Sequence, residues 1–287
     1  MLPGGAAQGV IDAKFPVSQG MKTSDVVKSM LGLLSLGKSD FEAIEPFRGD
    51  RFFKEALGLT NTPSAVWLRQ RLNAKAAELR ELTDELTLRL LEHTEAPITP
   101  HKGYICADLD TFVMDQPAGR RTPRSGGPER SEGFGAAEHK KGQSLLVPDI
   151  EIEGWWTSLT LPMEEVIDLY EHHGAHEQFH SEIKTDLDLE RLPSGKFDTN
   201  DAILHLASFA YNCLRLLGQL GLTGEIAPIR HPAKRRRLKT VLQEIMYRAA
   251  KFIAHARKLV LDFGRGVAAH AQVFIALQER LWRAASG

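Results

Sequence analysis

The chain has 287 residues, 43% hydrophobic and 25% charged, with a formal net charge of −1. That length can bury a substantial core, as one large domain or two smaller ones, and the composition is that of a globular protein. A charge so near zero excludes a nucleic-acid binder that works by bulk charge, so any such role must rest on a local patch.

The opening MLPGGAAQGVIDAKFPVSQG has no basic segment followed by an apolar run, so no secretory signal is read there. Cys106 and Cys213 are too few and too far apart for a disulfide framework, and the expected location is the cytoplasm.

Residues 24–93 read as helical. Ser39-Asp40-Phe41-Glu42 fits a capping box, Gly49-Asp50 punctuates, and FFKEALGL suits a short amphipathic helix. Thr62-Pro63-Ser64 then opens one long helix carrying Leu68, Leu72, Leu79, Leu82, Leu86 and Leu90 at helical spacing. Several short helices ahead of Arg69-Gln70-Arg71 fit either a helix-turn-helix-like DNA reader or a plain helical bundle with solvated arginines.

GYICADLDTFVM, residues 103–114, has strand character and sets Asp108 and Asp110 on one face. The stretch 117–142 is rich in Gly, Pro, Ser and charge and reads as a loose linker. LLVPDIEIEGWWTSLTL restores strand character, and Met163–Tyr170 reads as helix. Trp155-Trp156 reads as packed core, with no role assigned. Two long helices follow, about 199–220 and 235–256, then the strand KLVLDF and a terminal helix. The stretch AILHLASFAYNCLRLLGQLGL is broken by His205, Asn212, Arg215 and Gln219, so it reads as a buried helix and no membrane partner is expected. Leu204, Phe209, Leu214, Leu217 and Leu220 are its expected core residues.

GAHEQFH, residues 174–180, contains H-E-x-x-H. A zinc hydrolase would place His176 and His180 one turn apart with Glu177 as general base, and would need a third ligand. Downstream stand Glu182, Asp186 and Glu190, none of them marked for that role. A wider window gives a different pattern. Tyr170, His173, Glu177 and Lys184 fall within roughly 60° on one helical face at about 100° per residue. A hydroxyl, an imidazole, a carboxylate and an ammonium on one stripe suit a face that meets a divalent cation and a phosphate; a solvated helix side is the plain alternative. The densest basic run, Arg230 to Lys239, contains Lys234, Arg235, Arg236 and Arg237 at a helix start. Cations there oppose the helix dipole, which suggests a phosphate partner, with a solvated surface run as the plain alternative.

Three stretches carry a resemblance: LGLLSLGKSDFEAIEPFRGDRFFKEALGL, ADLDTFVMD, and LYEHHGAHEQFHSEIKTDLDLERLPSGKF with the following HLASFAYNCLRLLG. Together they resemble the DDE group-one transposase domain of bacterial insertion sequences, whose wider superfamily carries Y-x2-R-x3-E-x6-K around its catalytic Glu. In this chain the pattern stands as Tyr170, His173, Glu177 and Lys184, with His in place of Arg, which loses the bidentate fork. The resemblance implies an α/β, mostly helical chain: an N-terminal helical region, 1–95, as a DNA-binding candidate, then a partial ribonuclease-H-like domain, 96–287. Asp110 would be the first catalytic aspartate and Glu177 the third carboxylate, together holding Mg²⁺ or Mn²⁺ for two-metal phosphodiester chemistry. Tyr170, His173, Lys184 and Lys234–Arg237 would meet transposon-end DNA, and the partner would be a second copy or a full-length transposase. The second aspartate has no counterpart: Asp115, Asp149 and Asp168 stand in the wrong context. An internal deletion joined near Arg121–Lys141 accounts for that, and it implies a chain that is incomplete as a catalyst.

Overall fold

The structure is a computed structural model that describes residues 10–11, 13–15, 20–94, 130–140, 143–156, 160–171, 175–225, 227–228, 235–255, 258–264 and 267–286. These residues are mostly helical, with two short antiparallel hairpins. They divide into two compact units, Met1–Pro97 with Phe179–Gly287, and Ile98–Gln178. The expected strand 103–114, with Cys106, Asp108 and Asp110, lies outside the described residues. None of the described helices is long and apolar enough to cross a membrane.

The first unit is built around α1, Thr23–Leu34, which is buried over its whole length. Burial of its charged residues is matched by local bonds. Asp25 accepts hydrogen bonds from the backbone N–H of Thr60 and Asn61 at 3.1 and 3.0 Å, and Lys28 lies 3.9 Å from the same carboxylate. A 3₁₀ helix, Phe41–Phe47, follows. The capping box expected at Ser39 does not form: no side chain caps that helix, and the Ser39 hydroxyl donates instead to the Asp188 carbonyl. A long-range bond thus takes the hydroxyl that the local motif would have used. The helix α2, Arg51–Ala56, does have its cap, with Asp50 accepting from Phe53 N–H at 3.0 Å.

Ser64 caps α3, Ala65–Ala74, through Trp67 N–H, as the sequence predicts. The single long helix expected beyond it is two, because the chain breaks at Lys75 before α4, Ala76–Thr94. The division has a packing reason. The helix α3 lies against α1 and the 3₁₀ helix, whereas α4 runs along α7, Phe197–Gly221, and one straight rod could not meet both. Leu68, Leu72, Leu79, Leu82, Leu86 and Leu90 are all buried, as their spacing predicts. Along α7 the buried stripe includes Ile203, Leu206, Phe209, Ala210 and Leu214. Leu204 is not core but 41% exposed, since it sits about 100° round from Ile203.

The region expected to be a helix at 235–256 is shorter and changes type. The helix α8, Leu238–Val241, gives way to a π-helical turn, Leu242–Met246, and then to β3, Lys251–His255. The strand β4, Lys258–Asp262, pairs antiparallel with β3, setting Phe252 opposite Leu261 and Ile253 opposite Val260. The β-branched pair Ile253 and Val260 favours a hairpin over a continued helix. The terminal helix α9, Ala268–Ser286, seats Val273 and Leu277 against Gly221 of α7, where a Cβ would come within 2.9 Å of Val273.

The second unit contains β1, Arg130–Lys140, paired antiparallel with β2, Gln143–Trp156, with a register shift between Ala137 and His139. Much of the expected linker 117–142 is therefore strand. Its small residues have little strand preference of their own, and pairing with the Ile150- and Ile152-bearing partner overrides that preference. The helix α5, Met163–Glu171, lies where the sequence expects it.

Candidate nucleic-acid interface

Tyr170 is in α5 and Glu177 is in α6, Ala175–Ser181. His173, Lys234 and Asp110 lie outside the described residues. In α6 the backbone sets positions 176 and 180 one helical turn apart, and His180 is exposed. The helix then widens into a π-helical turn, Glu182–Asp186, and exposed Lys184 lies on its outward side. Glu182 and Asp186, four apart on the opposite side, are buried to 2% and 8% exposure. Apolar Leu187 and Leu189 anchor the segment in the core.

Two buried carboxylates need compensation, and the basic run supplies it. Arg235 donates to Glu182 Oε2 at 2.6 Å, and its guanidinium lies 4.4 Å from the centre of the Phe179 ring. Tyr211 on α7 donates its hydroxyl to the same Glu182 oxygen at 3.0 Å. Arg237 grips Asp186 in bidentate fashion, Nε to Oδ2 at 3.1 Å and Nη2 to Oδ1 at 3.3 Å. Asp186 also accepts the Lys239 N–H at 3.0 Å, in the first turn of α8. The anion that this cationic helix start recruits within the chain is therefore Asp186. Arg215, one turn beyond Tyr211 on α7, donates Nη1 to the Arg236 carbonyl at 2.9 Å.

The position of Asp186 is fixed from the other side of the core. Gly37 follows α1 with a φ of +61°, and a Cβ there would stand 2.6 Å from the Asp186 carbonyl oxygen. Tyr247 donates its hydroxyl to the Leu36 carbonyl at 2.8 Å, and Ser39 holds Asp188, itself at positive φ.

The electrostatics follow this geometry. Burial, followed by the Glu182 charge and hydrogen bond, pushes the Tyr211 hydroxyl up to about 12. Burial, then the charge of Arg235, lowers Arg215 from its ordinary value. The Asp186 hydrogen bond and charge raise Arg237. Burial raises the Cys213 thiol to about 12, which makes it an inert core thiol, as its sequence context suggests.

Tyr211 escaped the sequence reading, which named Glu182 and Asp186 only as unmarked zinc carboxylates and Arg215 only as a break in an apolar stretch. The available signals were two acids four apart among apolar Ile183, Leu187 and Leu189, and a Tyr/Arg pair four apart on an apolar helix. In the N-terminal region Arg69 pairs with Glu42 and lies over the Phe41 ring, and Arg71 lies 5.3 Å from the centre of the Trp67 ring. Among the described residues no three His, Cys, Asp or Glu side chains converge in a way that could hold a metal ion. Glu182 and Asp186, two of the carboxylates that a zinc reading of His176 and His180 would turn to, are each occupied by an arginine. Compared with known proteins, the chain matches no family model, no curated protein and no solved structure.

Proposed function

We propose that the chain derives from a DDE-type insertion-sequence transposase and acts as a DNA-binding protein whose cutting and joining site is incomplete. The observation that carries the reading is the long contiguous stretch Leu169–Phe197, in which Tyr170, His173, Glu177 and Lys184 stand at the superfamily's spacing. The solvent-exposed ammonium of Lys184, beyond the end of α6, is compatible with a phosphate contact. The ribonuclease-H-like sheet belongs to the same proposal, with Asp110 on its first strand.

Asp110 and Glu177 are the residues that would hold Mg²⁺ or Mn²⁺. A bound pair of such ions activates a water or 3′-hydroxyl and stabilises the leaving oxygen. Two carboxylates fall short of the converging set that a metal pair needs. The acids just after Glu177 do not make up the number, because Arg235 and Arg237 already occupy Glu182 and Asp186. The donor set does not fit a complete two-metal centre, and no cleavage step is derived through it.

That shortage favours a regulatory role, in which the chain occupies element ends or joins full-length transposase subunits and poisons them. The test is a binding and nicking assay on the element's terminal DNA with Mg²⁺ or Mn²⁺. Binding without cleavage is expected. Robust cleavage abolished by Glu177→Ala would show the centre to be complete, and absence of DNA binding would remove the reading altogether.

A further inference from the structure

The hairpin of β3 and β4 is a two-stranded sheet, and among the described residues no third strand joins either edge. Two strands by themselves are marginal in water, and an open edge is a template for a further strand. One face of this hairpin also presents apolar groups to solvent. Ile253 and Val260 lie opposite each other and are 41% and 47% exposed. The end of β4 is fastened to the helix that follows: Phe263 stacks on Phe274 of α9, with 4.8 Å between ring centres. The outer edge of β4 is therefore held in place rather than left to drift.

The strand β4 reads Lys258-Leu-Val-Leu-Asp262, which is complementary to its own reverse. Laid antiparallel on a second copy with Val260 on the two-fold axis, it sets position 258 against 262, 259 against 261, and 260 against 260. Lysine then meets aspartate at both ends, with apolar residues between them. The backbone allows this register. Successive residues of a strand turn their N–H and C=O groups to alternate edges, and here even positions meet even and odd meet odd, so outward groups meet outward groups. A slip of one residue breaks that match, and a slip of two keeps it but loses both lysine–aspartate pairs. The strand β3 lacks the property: about Ile253 it would set Lys251 against His255, with no opposite charge. We propose that the outer edge of β4 is a self-association surface, through which two copies of this chain pair antiparallel about Val260 into a four-stranded sheet. The Ile253–Val260 pairs of the two copies then form one continuous stripe on a single face. Such an isologous contact closes on itself and stops at two copies. It rests on the strand and not on the DNA reading above.

The experiment follows the full chain by sedimentation velocity over a concentration series that reaches high micromolar. A strand edge is a small interface, so a weak dimer that fills toward the top of the series is expected. Val260→Lys, at a position already exposed in the single chain, puts two ammonium groups on the two-fold axis and should abolish the dimer. Asp262→Lys and Lys258→Asp each set like charges at both ends and should weaken association about tenfold or more. Mixed in equal amounts, those two variants are complementary again, and a mixed dimer should return. Mere loss of a local bond, such as that from Gly264 N–H to Asp262, would not give that recovery. Thermal melts of the same variants show that each is folded. A wild type that stays monomeric throughout, or a dimer that folded Val260→Lys and both reversals leave unchanged, would overturn the assignment. Folded reversals that dissociate but form no mixed dimer would overturn the register about Val260. All of these results leave the DNA reading standing, and a chain that dimerises this way but binds no DNA would remove that reading alone.

Discussion

Tyr211 and Arg235 meet on the same oxygen of Glu182, so each reports on the state of that carboxylate. The Tyr211 hydroxyl is raised from 10.0 to about 12, by burial first and by Glu182 second. A folded value above the unfolded one gives stability that is complete below pH about 10 and lost as the pH climbs through about 12. In an absorbance titration, one tyrosine should therefore ionise near pH 12, and Tyr211→Phe should remove that step and flatten the alkaline loss of stability. Tyr247 is also raised, by burial and by Asp186, so the variant is needed to assign the step. Arg235 makes a second prediction. Arg235→Ala leaves Glu182 buried without its ion-pair partner, which should cost about 2–4 kcal/mol in urea unfolding. The lower end is expected, because a quarter of the Arg235 side chain remains in water. If the cost is stranded charge, Glu182→Leu combined with Arg235→Met should recover most of it; a double variant as unstable as Arg235→Ala would show that the pair itself supplies the stability. None of this was read beforehand, since two acids four apart among apolar Ile183, Leu187 and Leu189 can mark a buried side but not the distant arginines that meet it.

At the scale of elements, the periodic helices were the most legible parts. Ser64 announces α3 by its cap, and the leucines from Leu68 to Leu90 lie on the buried side at the spacing that predicted them. What the periodicity did not carry was the break at Lys75, because the interval from Leu72 to Leu79 preserves the helical phase across it. The hairpin β3–β4 was hidden for the opposite reason: half of it, KFIAH, also fits a helical pattern until its partner strand is considered. Packing between elements makes a prediction in which two effects compete. Gly218 lies inside α7, where alanine would gain about 1 kcal/mol of helix propensity. A Cβ there would stand 2.5 Å from Val241 Cγ2 in α8, and Val241 is fully buried and stiff at χ1. The clash should win, so Gly218→Ala is expected to destabilise by about 1–2 kcal/mol. A variant more stable than wild type in denaturant melts would mean that α8 moves away freely.

For the molecule as a whole, helical period says which face of a helix is buried but never against what. That is why the sequence set the first 95 residues apart, whereas the structure packs α4 along α7 and places both in one compact unit with α9. The partners stand more than a hundred residues apart in the chain, and no local pattern records such a pairing. A shared core has a thermodynamic consequence that separate cores would not have. Leu79 on α4 and Leu206 on α7 are both fully buried, so truncating either to alanine should cost about 2–5 kcal/mol. If the two helices belong to one cooperative unit, both substitutions must shift the same unfolding transition, and far-UV circular dichroism should show one step in each. Independent N-terminal and C-terminal regions would answer differently: Leu79→Ala would split off an early phase that Leu206→Ala leaves in place. The single shifted step is the expected result, because among the described residues α4 packs far more extensively on α7 than on any other element.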